Sequence, residues 1–438
     1  MKALLKKSPE HYKQEKKIED PFDGYFTEMD QWQTEKDSLL DIPPAYRWLE
    51  IINWGIKNNL YSYQQPFQCK SGLKVTLGGK EYLMISSYDY LGLIGNPQVE
   101  EEAAAAIFKY GTGTGGVRLL TGSTELHRDF ERELAEFKGT EAAMTFTSGY
   151  IANIAVISAL LSPSDRVILD SKIHASIVQA CKLAHVPVFR FEHNNVESLE
   201  SILKSAPKGR RTLIVAEGIY SMDGDICPLP ELVNLKKKYK SYLMIDEAHS
   251  FGVLGNTGKG VDEHFGISAS DIDIWMGSLS KAIPANGGFV AGSKDLIIYL
   301  QHGGAPFMFS SALAPSSVAA ARAALEILRM EPWRLTTLHQ NSSYLRYWLN
   351  ELGLNTGNSV SPVIPVILGE DEKTYRYATA LFKEGIFASA IVKPAVPNGS
   401  ARLRLCATYK QNCEFLNSVI EGFRKVENSQ MNSYLETL

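Results

Sequence analysis

The stretch Ile274-Trp275-Met276-Gly277-Ser278-Leu279-Ser280-Lys281 runs from apolar residues into two serines and a lysine. Past it stand Gly287-Gly288 and a second apolar run, Phe289-Val290-Ala291. The pattern predicts strand, polar tip, strand, with Lys281 at the end of a buried strand rather than on a solvated helix. Burial costs an ammonium its solvation and drives it toward the neutral amine. A neutral amine is what an imine-forming nucleophile needs. Lysine is equally a common surface residue, and this stretch alone does not separate the two roles.

Outward from that lysine, apolar runs recur and end on polar residues. Val167-Ile168-Leu169 ends on Asp170, Thr212–Ala216 runs into Glu217, and Tyr242-Leu243-Met244-Ile245 ends on Asp246. A further strand is expected over Ile272–Trp275. Near-continuous apolar runs separated by helical patterns predict an α/β fold, a mostly parallel sheet covered by helices. Such sheets gather ligands at the carboxyl ends of their strands. An alanine-rich helix follows from Pro315 to Met330, and the strands Val363–Leu368 and Ala401–Cys406 flank another helical pattern. The expected layout is a polar arm over residues 1–60, a large domain over 61–325 and a small α+β domain over 326–438. The charge-dense start of the arm reads as a peripheral helix, or as a docking surface for a partner protein.

Composition narrows the function. The 438 residues are 45% hydrophobic and 21% charged, ordinary for a soluble globular protein. A net charge of −4 offers no basic footprint for nucleic acid. The five cysteines are scattered without metal-ligand spacing. No apolar run approaches the roughly 18 residues of a membrane span, and the N-terminus lacks a signal-peptide core. A cytoplasmic location is expected.

The strand ends supply a recognisable set. Thr147-Ser148-Gly149-Tyr150 opens the helical pattern 151–161, and free N–H groups at a helix N-terminus suit a phosphate. His174, just past Asp170, can stack on a planar ring. Ser221, in Glu217-Gly218-Ile219-Tyr220-Ser221-Met222-Asp223-Gly224-Asp225, can donate to a ligand oxygen, although Asp-Gly-Asp also reads as a plain turn. Asp246, ending a buried strand, needs a cationic partner or several donors; a protonated pyridine nitrogen would serve. Aspartate, histidine, phosphate cup and imine-capable lysine are the set that holds pyridoxal 5′-phosphate (PLP). The protein then contributes orientation and charge placement, and the cofactor the electron sink.

With these segments in hand, the sequence resembles the α-oxoamine synthase family of fold type I PLP enzymes. That family includes 8-amino-7-oxononanoate synthase and serine palmitoyltransferase. The resemblance runs over about residues 80–425. Its carriers include Ser86-Ser87-Tyr88-Asp89-Tyr90-Leu91-Gly92-Leu93, the glycine-rich Gly111–Arg118, Asp246-Glu247-Ala248-His249, Ser278-Leu279-Ser280-Lys281, Phe309-Ser310-Ser311 and Ala401-Arg402-Leu403-Arg404.

The resemblance implies roles. Lys281 matches the imine lysine, Asp246 the pyridine-nitrogen partner, His249 the contact to the phenolic oxygen, and His174 the residue stacked on the ring. Ser148, Gly149, Tyr150, Ser221 and Ser278 fall in the cofactor-binding segments. Ser310 and Ser311 match phosphate contacts reaching over from a second subunit, which implies a homodimer with shared active sites. Arg404 matches the holder of the substrate carboxylate, a bidentate task suited to guanidinium.

Three positions depart from the family pattern. Pro284 replaces a glycine after the lysine. Lys393, in Val392-Lys393-Pro394, stands where an arginine is common, and the usual asparagine is Tyr88 or Asp89 depending on register. These make Tyr88, Asp89 and Lys393 candidates for substrate binding. The implied reaction is a decarboxylating Claisen condensation of serine, alanine or glycine with an acyl thioester, carried by coenzyme A or an acyl carrier protein. The Tyr88 segment leans toward serine palmitoyltransferase-like or polyketide-associated members. An 8-amino-7-oxononanoate synthase-like enzyme, a PLP aminotransferase and a non-catalytic partner subunit are the competing readings.

Overall fold

The computed structural model describes residues 38–205 and 209–435. The first 37 residues of the expected arm lie outside the described residues. Described residues of the arm form the helix Pro43–Lys57, in which Gly55 is the buried residue.

The chain first forms two short strands, β1 (Lys74–Leu77) and β2 (Lys80–Met84). Seven further strands build the main sheet: β3 (Ala142–Phe146), β4 (Arg166–Asp170), β5 (Val188–Phe191), β6 (Thr212–Glu217), β7 (Tyr242–Asp246), β8 (Ile274–Ser280) and β9 (Pro284–Gly292). Their order is β3-β9-β8-β7-β6-β4-β5. Strands β4 to β8 pair in parallel because helices or long crossovers join them, whereas β9 runs antiparallel to both β8 and β3. Only residues 281–283 separate β8 from β9, too few for a crossover, so these two must form a hairpin.

Both faces of the sheet are covered. Ile168, Ile214, Leu243 and Trp275 belong to one buried cluster, and their neighbours Val167, Leu213, Met244 and Ile274 to the other. This is the two-residue alternation of a strand with apolar side chains on each face.

The strand expected at 272–275 begins two residues later and runs on to Ser280. The two serines expected in the polar tip, Ser278 and Ser280, are therefore strand. Pairing with β9 carries the ladder past the end of the apolar run. Lys281 itself sits in the hairpin turn.

Four last strands, β10 (Val363–Gly369), β11 (Ile386–Phe387), β12 (Ser389–Ile391) and β13 (Ala401–Cys406), form the C-terminal layer. β13 lies between β10 and β12, antiparallel to both. The segment before residue 85, expected to open the large domain, packs here instead. β2 pairs with β11, and Tyr82 stacks on Phe382 with ring centroids 4.1 Å apart. Ile85 belongs to the buried cluster of Leu381, Leu403 and Leu405. β13 thus reaches the edge where the strands of the main sheet end.

Candidate active site

Parallel strands bring their carboxyl ends to one edge, and three of those ends carry acids: Asp170 on β4, Glu217 on β6 and Asp246 on β7. Glu217 and Asp246 are registered neighbours, and Asp246 faces Met276 on β8. Two helix starts point at the same edge. Ser148 caps Gly149–Leu160 by accepting from Ile151 N–H, and His174 caps Ala175–Leu183.

Lys281 lies at the β8–β9 turn beside these acids. It lines a cavity of about 300 Å³ with Ser86, Tyr88, Asp89, Ser280 and Pro284. Burial lowers its pKa and outweighs the opposite pull of Asp246 and Glu217. The amine is displaced toward the neutral, nucleophilic form.

Asp246 is 3% exposed, and its bonds come from neutral donors. Asn153 Nδ2 donates to Oδ2 at 3.0 Å and the Ala248 N–H to Oδ1 at 2.9 Å. No ion pair to Asp246 forms among the described residues. The following residue, Glu247, is anchored by buried Lys138, 2.8 Å away, whose Nζ also meets Asp262 at 2.6 Å. That buried pair fixes the backbone from which Asp246 projects.

Two imidazoles flank the lysine. His249 Nδ1 bonds the Tyr90 hydroxyl at 2.8 Å, and its ring meets Tyr88 edge-on at 5.6 Å. Burial, then the charges of Lys281 and His174, hold His249 well below the usual histidine range. His174 Nδ1 accepts from the Ser176 backbone N–H at 3.3 Å and lies 2.8 Å from the Ser176 hydroxyl. Its pKa is lowered, first by burial and further by Lys281, against the pull of Asp246. Both rings are therefore neutral near pH 7.

The phosphate cup expected from Ser148, Gly149 and Tyr150 closes against β9 and β8. A Cβ on Gly288 would stand 2.5 Å from both Cα and N of Gly149. Ser278 Oγ lies 2.9 Å from Ser280 Oγ, and a Cβ added to Gly149 would stand 3.5 Å from the Ser278 Cβ. The first amides of the helix have no partner within it, so this close approach leaves a collar of N–H and hydroxyl donors. Ser221 joins through its backbone: its N–H donates to Glu217 Oε2 at 3.3 Å and its carbonyl accepts from Arg404. Ser311 is exposed and bridges Val117 of the glycine-rich loop; Phe309 beside it is 79% exposed. In this chain Ser310 and Ser311 contribute to a surface.

Arg404, on β13, is buried with no acidic partner among the described residues. Its Nη1 reaches the Ser221 carbonyl at 3.5 Å and the Met222 sulfur at 3.7 Å, and its Nε has no partner. The guanidinium lies 4.6 Å over the Tyr88 ring. Its neighbour Arg402 is paired with Asp223 at 3.0 Å. Asp89 turns inward, accepting from the N–H groups of Leu93 at 2.7 Å and Ile94 at 3.1 Å. Lys393 is exposed on the loop between β12 and β13.

Four further residues enter the site that sequence reasoning did not single out: Glu217, Asn153, Ser176 and Tyr90. Glu217 is 3% exposed with Oε1 unpartnered. Burial first, then Asp246, raise its pKa well above the carboxylate range. An acid ending an apolar strand beside Asp246 was the available signal. The other three act on neighbours in space, and no spacing in the chain reveals that.

Known proteins match this geometry. The pattern of the family "Aminotransferase class I and II" matches residues 80–419. The 8-amino-7-oxononanoate synthase of Thermoanaerobacter pseudethanolicus is 42% identical, covering 86% of this chain and 94% of that protein. The serine palmitoyltransferase of Sphingobacterium spiritivorum is 38% identical, covering 84% and 93%. Among solved structures, Sphingomonas wittichii serine palmitoyltransferase superposes with a TM-score of 0.85 at 31% identity, covering 90% of this chain and 98% of that one. The Francisella tularensis 8-amino-7-oxononanoate synthase gives 0.70 at 26%, covering 81% and 99%.

Proposed function

Because the chain belongs to the aminotransferase class I and II family, and within it to the PLP-dependent α-oxoamine synthases, we propose that it joins the Cα of a small amino acid to the acyl carbon of a thioester. The products are an α-amino ketone, CO2 and the free thiol. The observation that carries this reading is Arg404, a buried guanidinium without an acid among the described residues, stacked on a tyrosine that shares a cavity with Lys281.

The residues present fit PLP. Asp246 is a buried acid bonded only by neutral groups, suited to a pyridinium nitrogen. The Gly149–Gly288 contact holds the helix start, with its free N–H groups, close against β9, and such N–H groups suit a phosphate. When bound, PLP supplies the electron sink for negative charge at Cα. Ser148, Gly149, Tyr150 and Ser278 hold the phosphate, with Ser221 at the neighbouring loop. His174 covers one ring face and His249 orients the phenolic oxygen. Arg404 binds the substrate carboxylate by a charge-assisted fork. Lys281 Nζ, its pKa lowered by burial, takes the Cα proton and returns one at the end. Tyr88 and Ser280 border the space left for the amino-acid side chain, and Lys393 offers the thioester carrier a point charge from the rim.

A second copy of the chain completes the site in this reading. Leu120 and Phe309, each 79% exposed, flank the Val117–Ser311 bridge and offer an apolar face for it. Mixing Lys281→Ala with Ser311→Ala chains should restore activity in hybrid dimers; failure to do so excludes shared sites.

The central test uses purified, PLP-loaded protein. A visible cofactor band should vanish in Lys281→Ala, and thiol should be released from acyl-CoA or acyl carrier protein only when an amino acid is added. Product formation without a thioester would point to an aminotransferase instead. Serine, alanine and glycine, compared by exchange of the Cα hydrogen in deuterated water, identify the amino acid. The 42% identity to an 8-amino-7-oxononanoate synthase supports alanine as the second reading beside serine.

A further inference from the structure

Behind the cleft a histidine is held between two acids. His193 Nδ1 lies 2.9 Å from Asp170 Oδ1, and Nε2 lies 2.7 Å from Asp225 Oδ2. Asn194 closes the same unit. Its N–H donates to Asp170 Oδ2 at 2.9 Å, and its Nδ2 to Asp225 Oδ2 at 3.2 Å and to the Ile226 carbonyl at 3.1 Å. Its φ of 53° is left-handed, a conformation asparagine tolerates better than most residues.

A carboxylate only accepts hydrogen bonds. Both ring nitrogens of His193 face one, so both must carry a proton and the ring is an imidazolium. Burial alone would lower its pKa; the bonds to Asp170 and Asp225 outweigh that and lift it to about 9. The Tyr220 ring meets the imidazole edge-on at 4.4 Å. The nearby charges have their own partners: Lys172 makes a second link between the same two segments, to Asp223 at 2.7 Å, and Arg190 donates to the Ser171 carbonyl at 3.2 Å.

The two acids anchor two different loops, Asp170 from the end of β4 and Asp225 from within the loop after β6, and each loop carries a part of the site. Asp170 accepts from the Lys172 N–H at 2.8 Å and so shapes the turn that leads to His174. Asp225 closes the loop whose Ser221 carbonyl and Met222 sulfur support Arg404. Resting on the function proposed above, we propose that His193 is a positioning residue: by bridging these loops it sets His174 against Arg404 and so the placement of the amino acid between them. The sign follows from the raised pKa. The bridge is complete below about pH 6.5, the ordinary histidine value, and is lost as pH rises through about 9. Above that, one ring nitrogen turns a lone pair toward a carboxylate.

The test compares wild type with Asp225→Asn, which keeps the shape and removes one charge, and with His193→Gln. Side-chain 15N NMR of the PLP-loaded protein should show both His193 nitrogens protonated at pH 7.5 in wild type. In Asp225→Asn the ring should lose its second proton at least about one pH unit lower. Amino-acid affinity, read from the shift of the cofactor band, should fall roughly tenfold in His193→Gln at pH 7.5, with the thioester KM unchanged. In Asp225→Asn it should fall at the same lowered pH as the NMR change. A neutral His193 in wild type at pH 7.5 overturns the inference. So does an unchanged amino-acid affinity in His193→Gln, or equal weakening for both substrates. Failure of the underlying function is distinct: wild type itself would then bind no cofactor or show no response to amino acids.

Discussion

Asp246 and His174 are joined by a relay of two side chains. Asn153 Nδ2 donates both to Asp246 Oδ2 at 3.0 Å and to Ser176 Oγ at 2.9 Å, and Ser176 Oγ lies 2.8 Å from His174 Nδ1. The acid beneath the proposed ring nitrogen and the imidazole proposed to cover the ring thus share one buried amide. Removing it orphans Asp246 Oδ2 and leaves the Ser176 hydroxyl bonded to His174 alone. An unsatisfied buried group costs about 1–3 kcal/mol. Asn153→Ala should therefore weaken PLP binding by roughly 5- to 100-fold in a spectroscopic titration. Unchanged affinity would show that the relay does not reach the cofactor.

Arg404 sets function against stability. Burial lowers its pKa, no acid among the described residues offsets the cost, and Nε has no partner there. Replacing an uncompensated buried charge with an apolar side chain of similar size is neutral or stabilising. Arg404→Met should melt at the wild-type Tm or about 1–3 °C above it. Its amino-acid KM should rise roughly 100-fold, while the thioester KM holds. A large drop in Tm would mean that the guanidinium is structural.

Asp89 has a pH signature. Burial lifts its pKa to about 6 against the bonds from Ile94 and Leu93 and the charges of Lys410 and Arg334. A carboxyl raised in the folded state stabilises fully below its unfolded pKa of about 4, and that contribution is lost as pH rises through about 6. Asparagine keeps the acceptor oxygen without the charge. Asp89→Asn should flatten the stability–pH curve between about pH 4 and 6 and gain about 1–3 kcal/mol at pH 7.5 by urea denaturation. Retained activity would assign Asp89 to the turn; lost amino-acid affinity would assign it to substrate.

Gly288 is where a single methyl group should cost the cofactor. The added Cβ would meet Gly149 N and Cα at 2.5 Å and push the helix start away from β9. The helix lies over the main sheet and cannot yield without repacking. Gly288→Ala should weaken PLP binding at least tenfold, read as retained cofactor after gel filtration, with far-ultraviolet circular dichroism unchanged. Full cofactor retention would place the phosphate elsewhere.

The strands were legible because apolar runs such as Leu243–Ile245 and Val167–Leu169 must be buried on both faces, which a covered parallel sheet allows. The acids ending those runs were legible for the same reason, since a carboxyl there is expensive without a purpose. The polar tip after Gly277 was misplaced because strand length is set by pairing across the sheet, here with β9, and the apolar pattern ends sooner. Residues 74–85 were assigned to the wrong layer because their partner, β11, lies about three hundred residues away in sequence.

Taken alone, the chain of residues determined the chemistry on offer: a lysine at a strand end, acids beside it, glycines before helix starts and an arginine on a late strand. Those follow from local rules of burial and solvation, which act on each residue where it stands. Which of them meet was decided by the tertiary structure. Arg404 faces Tyr88 while Arg402 is spent on Asp223, and His193 rather than a nearer histidine joins the two loops. Partnership is a matter of distance in space, and strand order and register fix that distance only after the whole sheet has formed.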